Sequence, residues 1–433
     1  MRTAEIRQLV RSDEPGAKAA LATLLRDRFQ IEARAIKLNN DQYSLNSLNG
    51  FFETDAGAFF FKFHQEEGEE EMRGEYYRAD LLQQEGLPVD MPVMASTDPG
   101  EQILIYRRRN DRRFSDVLFD LDANAHQKGK PPPEGTTSLH LQAVRAEQKL
   151  NEQLLTVARK TLHPVGANEV AGEAIHRLFH ERLVDLPAGA YPGGRYKAFY
   201  VDQNFDLPGI TLGWRELSSA TLVLNGQQMQ RTFTDIFDLA FELLHPNALA
   251  NAGGIVAHGD AHNANVWFES TGSEPRLVYF DPAFAGEHVP SLIAEVKATF
   301  HNVFAHPLWL YNPERAELCY QAHARFDGDT VSLETDWRLS PLRQDLLRAK
   351  ADAYWRPFLS HLRAEGLLPD NWKQIMRTSL AMCPALVANL RADNSRRGPV
   401  ASAIGLYVTA LMGSEALDGS TVVDDFLTMI DPD

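Results

Sequence analysis

The segment Ile255-Val-Ala-His-Gly-Asp-Ala-His-Asn-Ala-Asn-Val-Trp-Phe268 constrains this chain more than any other. Two short apolar runs, 255–257 and 266–268, enclose a loop dense in His258, Asp260, His262 and Asn265. A third apolar run, 277–280, ends directly at Asp281. Apolar runs this short, bounded by polar and turn-forming residues, read as strands. Loops at strand ends are where a rigid scaffold can aim polar side chains. Two carboxylates and an amide are therefore expected to cluster. A carboxylate can accept a proton from a hydroxyl nucleophile. A second carboxylate and an amide oxygen are hard ligands that suit Mg²⁺. A base with magnesium ligands is the minimal equipment for phosphoryl transfer from a nucleotide.

The chain around this segment divides by pattern. Residues 4–30 read as one helix, with Leu9, Leu21, Leu24, Leu25 and Phe29 apolar. Strands are expected at 33–38, 51–53, 58–64 and 103–106, with Thr54-Asp-Ala-Gly57 as a hairpin turn. A helix is expected over 69–85, stopped by Gly86. These make a small mixed β-sheet carrying one helix. From Leu139 onward helix dominates, with strands at 196–200 and 221–224 expected as an inserted hairpin. Helices are expected over 291–305, 313–326, 341–364, 370–391 and 398–416. The fold class is α+β, in three parts: 1–106, a hinge and exposed loop at 107–138, and a mainly helical 139–433.

Lys62 stands alone in Ala58-Phe-Phe-Phe-Lys-Phe-His64, a strand otherwise built from phenylalanine. Period-2 alternation puts Phe60, Lys62 and His64 on one face. A lysine in such a strand needs a partner or a route to water. Between strands, residues 41–50 offer Ser44, Asn46, Ser47, Asn49 and a single glycine, Gly50, with no Gly-x-Gly-x-x-Gly.

The octapeptide His258-Gly-Asp-Ala-His-Asn-Ala-Asn265 resembles the HGDxHxxN catalytic loop of the aminoglycoside phosphotransferase and choline kinase superfamily. The resemblance implies a two-lobed, protein-kinase-like fold and use of ATP with Mg²⁺. It implies Asp260 as catalytic base, with His262 supporting the loop and His258 architectural. Asn265 and Asp281, the latter 16 residues further on, would be the magnesium ligands. Lys62 would meet the ATP phosphates, paired with Glu75 or, one turn earlier, Glu71; Ser47 would be a phosphate contact. The segment after Asp281, Ala285-Gly-Glu-His-Val-Pro-Ser-Leu-Ile-Ala-Glu295, departs from the family's turn and second aspartate. No acceptor-site residue can be carried over.

Charge and composition bound the partners. With 43 basic and 59 acidic residues the net charge is −16, which repels a phosphate backbone and argues against nucleic acid. The same excess favours a cationic hydroxyl acceptor, such as an aminoglycoside, amino sugar or amino alcohol, with a neutral sugar close behind. The two cysteines, Cys319 and Cys383, are too few for a disulfide framework or a structural zinc site. The N-terminus lacks the apolar core of a signal peptide, and Val400–Gly413 is too short to span a bilayer. These features suggest a cytoplasmic protein with no membrane partner; oligomeric state leaves no readable motif. Two other readings compete. His258-x-Asp-x-His262 with His301 and His306 has the residues of a metallohydrolase, but leaves Lys62 unexplained. A regulatory pseudokinase usually lacks the base, the ligand or the lysine, and all are present here. A protein kinase on the same fold is a further alternative.

Overall fold

The computed structural model describes residues 3–39, 47–64, 78–96, 98, 100–125, 135–272, 274–305, 307–393 and 396–432. The chain forms two compact units: Met1–Asp80 with Val89–Asp111, and Leu81–Pro88 with Arg112–Asp433.

In the first unit the expected single helix is two, α1 (Thr3–Ser12) and α2 (Glu14–Phe29). Asp13 breaks it: its carboxylate accepts the Gly16 N–H at 3.0 Å, and Pro15 enters the first turn of α2. Gln30, left-handed at φ 58°, ends α2. The strands are β1 (Arg34–Leu38), β2 (Ser47–Thr54), β3 (Gly57–His64), β4 (Met94–Ser96) and β5 (Ile103–Arg107), in sheet order β1-β2-β3-β5-β4. Every pairing is antiparallel, not mixed as expected, because β2 and β3 form a hairpin and β5 and β4 flank it in alternating directions. The hairpin closes at Thr54 opposite Gly57, whose φ of 119° suits only glycine. Phe52, Phe61, Phe63 and Ile105 pack on Leu21, Leu24 and Leu25 of α2. Each such ring contributes roughly 1.5–3 kcal/mol by leaving water. Phe60 and Lys62 lie on the other face, half-buried, as the alternation requires. Of the helix expected over 69–85, α3 (Ala79–Glu85) falls within the described residues.

The second unit carries β6 (Arg112–Arg113), α4 (Phe114–Ala125), the long α5 (Thr136–Thr161) and the short α6 (Ala167–Ala171). The expected strand at 196–200 is a helix, α7 (Gly194–Phe199). Its aromatic run mimics a strand, but Tyr196 stacks on Phe237 with centroids 4.1 Å apart, which sets a helical spacing. A hairpin, β7 (Asn204–Leu207) and β8 (Ile210–Gly213), and α8 (Trp214–Ser219) lead to β9 (Thr221–Leu224) and β10 (Gln227–Gln228). Then come α9 (Phe233–Leu243), α10 (Pro246–Leu249), β11 (Gly254–Ala257), β12 (Val266–Glu269), β13 (Arg276–Tyr279), β14 (Gly286–Pro290), α11 (Val296–Thr299) and α12 (Ala316–Cys319). Only Ala316–Cys319 is α-helix within the helix expected over 313–326. The chain then enters β15 (Ala322–Asp327), which turns at Gly328 (φ 66°) into β16 (Thr330–Thr335). β16 pairs in parallel with β9, giving the order β10-β9-β16-β15. So 221–224 is a strand as expected, but its partners are the short β10 directly after it and β16, over a hundred residues away in sequence, and not 196–200.

The remaining helices are α13 (Pro341–Lys350), α14 (Arg356–Ala364), α15 (Trp372–Val387), α16 (Pro399–Gly413) and α17 (Val422–Met429). α16 is apolar all round because it is buried all round. A Cβ on Gly405 would stand 2.8 Å from Leu390 Cδ2, so a larger residue there would have to push the buried Leu390 side chain aside. Among the described residues no helix is long and apolar enough to cross a membrane. The arginine cluster at 107–113 is taken up locally. Arg107 and Arg108 lie over the rings of Phe59 and Phe51, Arg109 and Arg112 pair with Asp111 and Asp120, and Arg113 lies over Phe280.

Candidate active site

β11 and β14 pair antiparallel, and β12 pairs with β13 and β6. The strand ends deliver His258 to Asn265 after β11 and Asp281 after β13. Gly259 makes the first turn. It is left-handed at φ 74°, and a Cβ would stand 2.4 Å from the Phe284 carbonyl oxygen, so no other residue fits. His258 is fully buried, and burial pushes its pKa down. The neutral ring has one donor and one acceptor, and both are used. Nε2–H donates to the Phe280 carbonyl at 3.0 Å, and Nδ1 accepts the Asp260 N–H at 3.3 Å. His258 thus clamps the loop to the strand end before Asp281.

His262 caps the turn that follows: its Nδ1 accepts the Ala264 N–H at 3.2 Å. The Asn265 side-chain amide donates to the Asp260 carbonyl at 3.0 Å, and its own carbonyl accepts the Phe280 N–H at 3.0 Å. One residue therefore ties the Asp260 backbone to the segment bearing Asp281. Asp281 itself is left-handed at φ 56°, a conformation aspartate tolerates. With its nitrogen engaged, the amide oxygen of Asn265 has no partner among the described residues.

Asp260 is 9% exposed and pairs with Lys297 of α11, Oδ1 to Nζ 2.5 Å. Its other oxygen lies 3.8 Å from His262 Nε2. Burial pushes the Asp260 carboxyl up, but the Lys297 ammonium, then His262 and His258, pull it below the ordinary value. Asp260 is therefore ionised at neutral pH. Burial brings His262 down to about 4, with Lys297 adding to the effect, so His262 is neutral there.

The loop is anchored from below. Asn263 N–H donates to Asn302 Oδ1 at 2.9 Å, and its amide donates to the His301 carbonyl at 3.2 Å. Asn302 donates to both Glu147 oxygens, and Glu147 pairs with Lys350 at 2.6 Å. Arg343 donates to the Asn302 carbonyl and binds Asp122. Glu295, 2% exposed, sits near this network with neither carboxylate oxygen hydrogen-bonded among the described residues. Burial raises its pKa from 4.5 to about 7, against the pull of Lys350 and with the push of Glu147. The folded protein thus keeps a proton that the unfolded chain releases near 4.5, so stability falls as pH rises from there to about 7. Glu295→Gln removes that loss. The variant is expected to match wild type near pH 4.5 and to exceed it by about 3 kcal/mol at pH 8 in denaturant unfolding. Equal stability at pH 8 would contradict this account.

Of the residues singled out in the sequence, the second unit brings Asp260, His262, Asn265 and Asp281 into one hydrogen-bonded frame. Lys62 belongs to the first unit, in β3 opposite Asn49 and Leu104. Ser47 opens β2, its side chain outside the described residues, as are Glu75, Glu71 and His306. Lys297, Asn263 and Arg182 were not singled out. Asn263 lies inside the motif, and Lys297 is a lone cation in an apolar run, a signal of the kind used for Lys62. Among the described residues no group of three or more His, Cys, Asp or Glu is placed to hold a metal. The His262 and His301 rings are neighbours, 5.1 Å apart. Two cavities of about 550 Å³ lie elsewhere, one beside Lys149 and Glu274, the other between α5 and α13.

No family model and no curated protein matches the chain. Among solved structures, a spectinomycin phosphotransferase in complex with ADP and spectinomycin aligns at TM-score 0.39 and 10% identity, over 95% of this chain and 98% of its own. A microcompartment-associated aminopropanol kinase aligns at 0.40 and 11%, over 91% and 96%. A Plasmodium vivax ethanolamine kinase aligns at 0.35 and 9%, over 95% and 94%. At such identities and scores neither family nor activity passes from these proteins to this chain.

Proposed function

We propose that the chain is an ATP- and Mg²⁺-dependent small-molecule kinase on a two-lobed, protein-kinase-like fold, transferring the γ-phosphate to a hydroxyl. The carrying observation is the frame in which Asn265 joins Asp260 to the Asp281 segment. That tie between the loop bearing the ionised Asp260 and the strand end bearing Asp281 supports a reading in which Asp260 is the base and the oxygens of Asn265 and Asp281 are the hard donors. In the reaction the acceptor oxygen forms a bond to the γ-phosphorus as the bond to the β,γ-bridging oxygen breaks. The hydroxyl proton goes to the Asp260 carboxylate and then to solvent. Asn265 and Asp281 fit Mg²⁺, which takes few protein oxygens and completes its shell with phosphate and water. When bound, the ion would neutralise phosphate charge. Lys62, with Glu75 as partner and Ser47 as a further contact, serves the nucleotide phosphates in this reading. Sugars, amino sugars, amino alcohols and aminoglycosides are the acceptors the resemblance suggests.

The test is ³¹P NMR of protein, MgATP and pooled alcohols. A phosphoester resonance that disappears with Asp260→Ala is expected; ATP left unbound refutes the kinase reading. A second expectation concerns the nucleotide. Asp281→Ala should weaken ATP affinity in Mg²⁺ by about 100-fold or more, judged from the 10–100-fold cost of disturbing residues behind a metal's own ligands. In EDTA, calorimetry should find the variant and wild type alike. An unchanged Mg²⁺-dependent affinity would remove Asp281 from the ligand set.

A further inference from the structure

The net charge of −16 favours a cationic acceptor, yet the groups gathered around Asp260 are cationic themselves. Lys297, 4% exposed, is in contact with Asp260. Arg182 lies close enough to Asp260 to feel its charge, and among the described residues it has no carboxylate partner. One arm of its guanidinium donates to the Leu386 carbonyl at 3.2 Å, near the C-terminus of α15. Arg195 donates to the same carbonyl at 2.9 Å. α15, whose Leu386 carbonyl holds Arg182, packs against α11, which bears Lys297 and through it Asp260.

His301 adds a second kind of observation. It is 2% exposed, and its Nε2 has no hydrogen-bond partner among the described residues. Its Nδ1 meets the Tyr311 hydroxyl, and its ring adjoins His262. Burial keeps it neutral, and of the groups acting on it the two that are charged at neutral pH, Lys297 and Arg182, are both positive. A buried polar atom without a partner costs free energy unless something supplies one. A cationic acceptor entering here would meet Lys297 and Arg182, with Asp260 already paired to Lys297 and Asp281 assigned to the metal.

We infer that the acceptor is a hydroxyl compound bearing an anionic group, carboxylate or phosphate, which Arg182 binds while Asp260 faces the hydroxyl. Arg182 retains guanidinium donors beyond the one used on Leu386, and guanidinium suits planar oxyanions. Lys297 balances Asp260, so the pair adds no net negative charge to repel such a compound. His301 Nε2 offers it a further polar contact. This rests on the kinase reading above.

The test compares acceptors sharing a skeleton: gluconate, glucose and glucosamine; glycerate, glycerol 3-phosphate, glycerol and serinol, each with MgATP. The anionic members are expected to show kcat/KM at least about tenfold above the neutral ones and further above the amines, a charge-assisted bond's worth. Comparing glycerate with glycerol 3-phosphate separates carboxylate from phosphate. Arg182→Gln should erase the preference through KM, and Arg182→Lys should restore most of it. Preference for glucose, glucosamine or serinol overturns the inference and leaves the kinase standing. Binding gives a readout independent of turnover. Gluconate or glycerol 3-phosphate should raise the thermal midpoint of wild type and of Arg182→Lys but not of Arg182→Gln. No rise with either anion, or an equal rise in Arg182→Gln, overturns the inference. Failure of ATP to bind refutes the kinase reading, and the anion-dependent midpoint shift then stands or falls separately.

Discussion

Asp260→Asn is expected to lower kcat by about three to four orders of magnitude, the upper range for loss of a general base. It carries a second consequence that a purely catalytic residue would not. Asp260 is the anion that balances Lys297, which is 4% exposed. Removing it strands a buried ammonium, and breaking such a pair from one side costs about 3–5 kcal/mol. The single variant should therefore be both inactive and markedly less stable. The double variant Asp260→Asn, Lys297→Met separates the two effects. It should regain most of the lost stability in denaturant unfolding and none of the lost turnover. If activity returned with stability, Asp260 would be a structural anion and the base would have to be sought elsewhere.

The second large effect is expected from Glu147→Ala. Glu147 and Lys350 are both buried, 2.6 Å apart, and Asn302 donates to Glu147 while accepting from the backbone of Asn263. Truncating Glu147 leaves Lys350 without its ion partner and Asn302 without its acceptor. A loss of about 3–5 kcal/mol is expected, read as a fall in Tm of several degrees. Glu147→Leu with Lys350→Met should recover most of it, since an apolar pair of similar volume replaces a buried ion pair at little cost. Turnover should not recover fully, because Asn302 would still lack the acceptor that helps it hold the catalytic loop. Full recovery of both would mean that Asn302 holds the loop unaided.

The local part of this site was legible in the sequence. Strands at 255–257 and 266–268, the loop between them and Asp281 after 277–280 come from patterns within a few residues. They fold as expected because Gly259 and His258 act locally as well. The alternation around Lys62 was legible for the same reason, and it places Phe59, Phe61 and Phe63 of β3 on the side of α2, away from Lys62. What escaped depends on distant chain. Lys297 lies within the helix expected over 291–305, of which the structure forms α11 and a π-helical turn at Phe300–Phe304, but nothing local in the sequence says that it meets Asp260. Arg182 comes from a 3₁₀ turn with no pattern at all. The strand β15 was read as helix although its partner β16 follows at once across the Gly328 turn; what holds that hairpin in a larger sheet is β9, which pairs with β16 from over a hundred residues away. The helix α7 was read as strand because aromatic residues suit both, and the Tyr196–Phe237 stack decided between them.

The chain's path between its two units also limits how it can be cut. Leu81–Pro88 belongs to the second unit although the first continues after it. Pro88 accepts a hydrogen bond from Tyr279 N–H, and Glu85 pairs with Lys160. The polypeptide therefore passes from one unit to the other three times, not once. A fragment ending at residue 111 would carry Leu82 and Leu87, buried in the intact chain, without the surroundings that bury them. No single proteolytic nick or gene truncation can release the unit bearing Lys62 as a clean module, and any exchange of that unit between related chains must respect two junctions besides the one at 111.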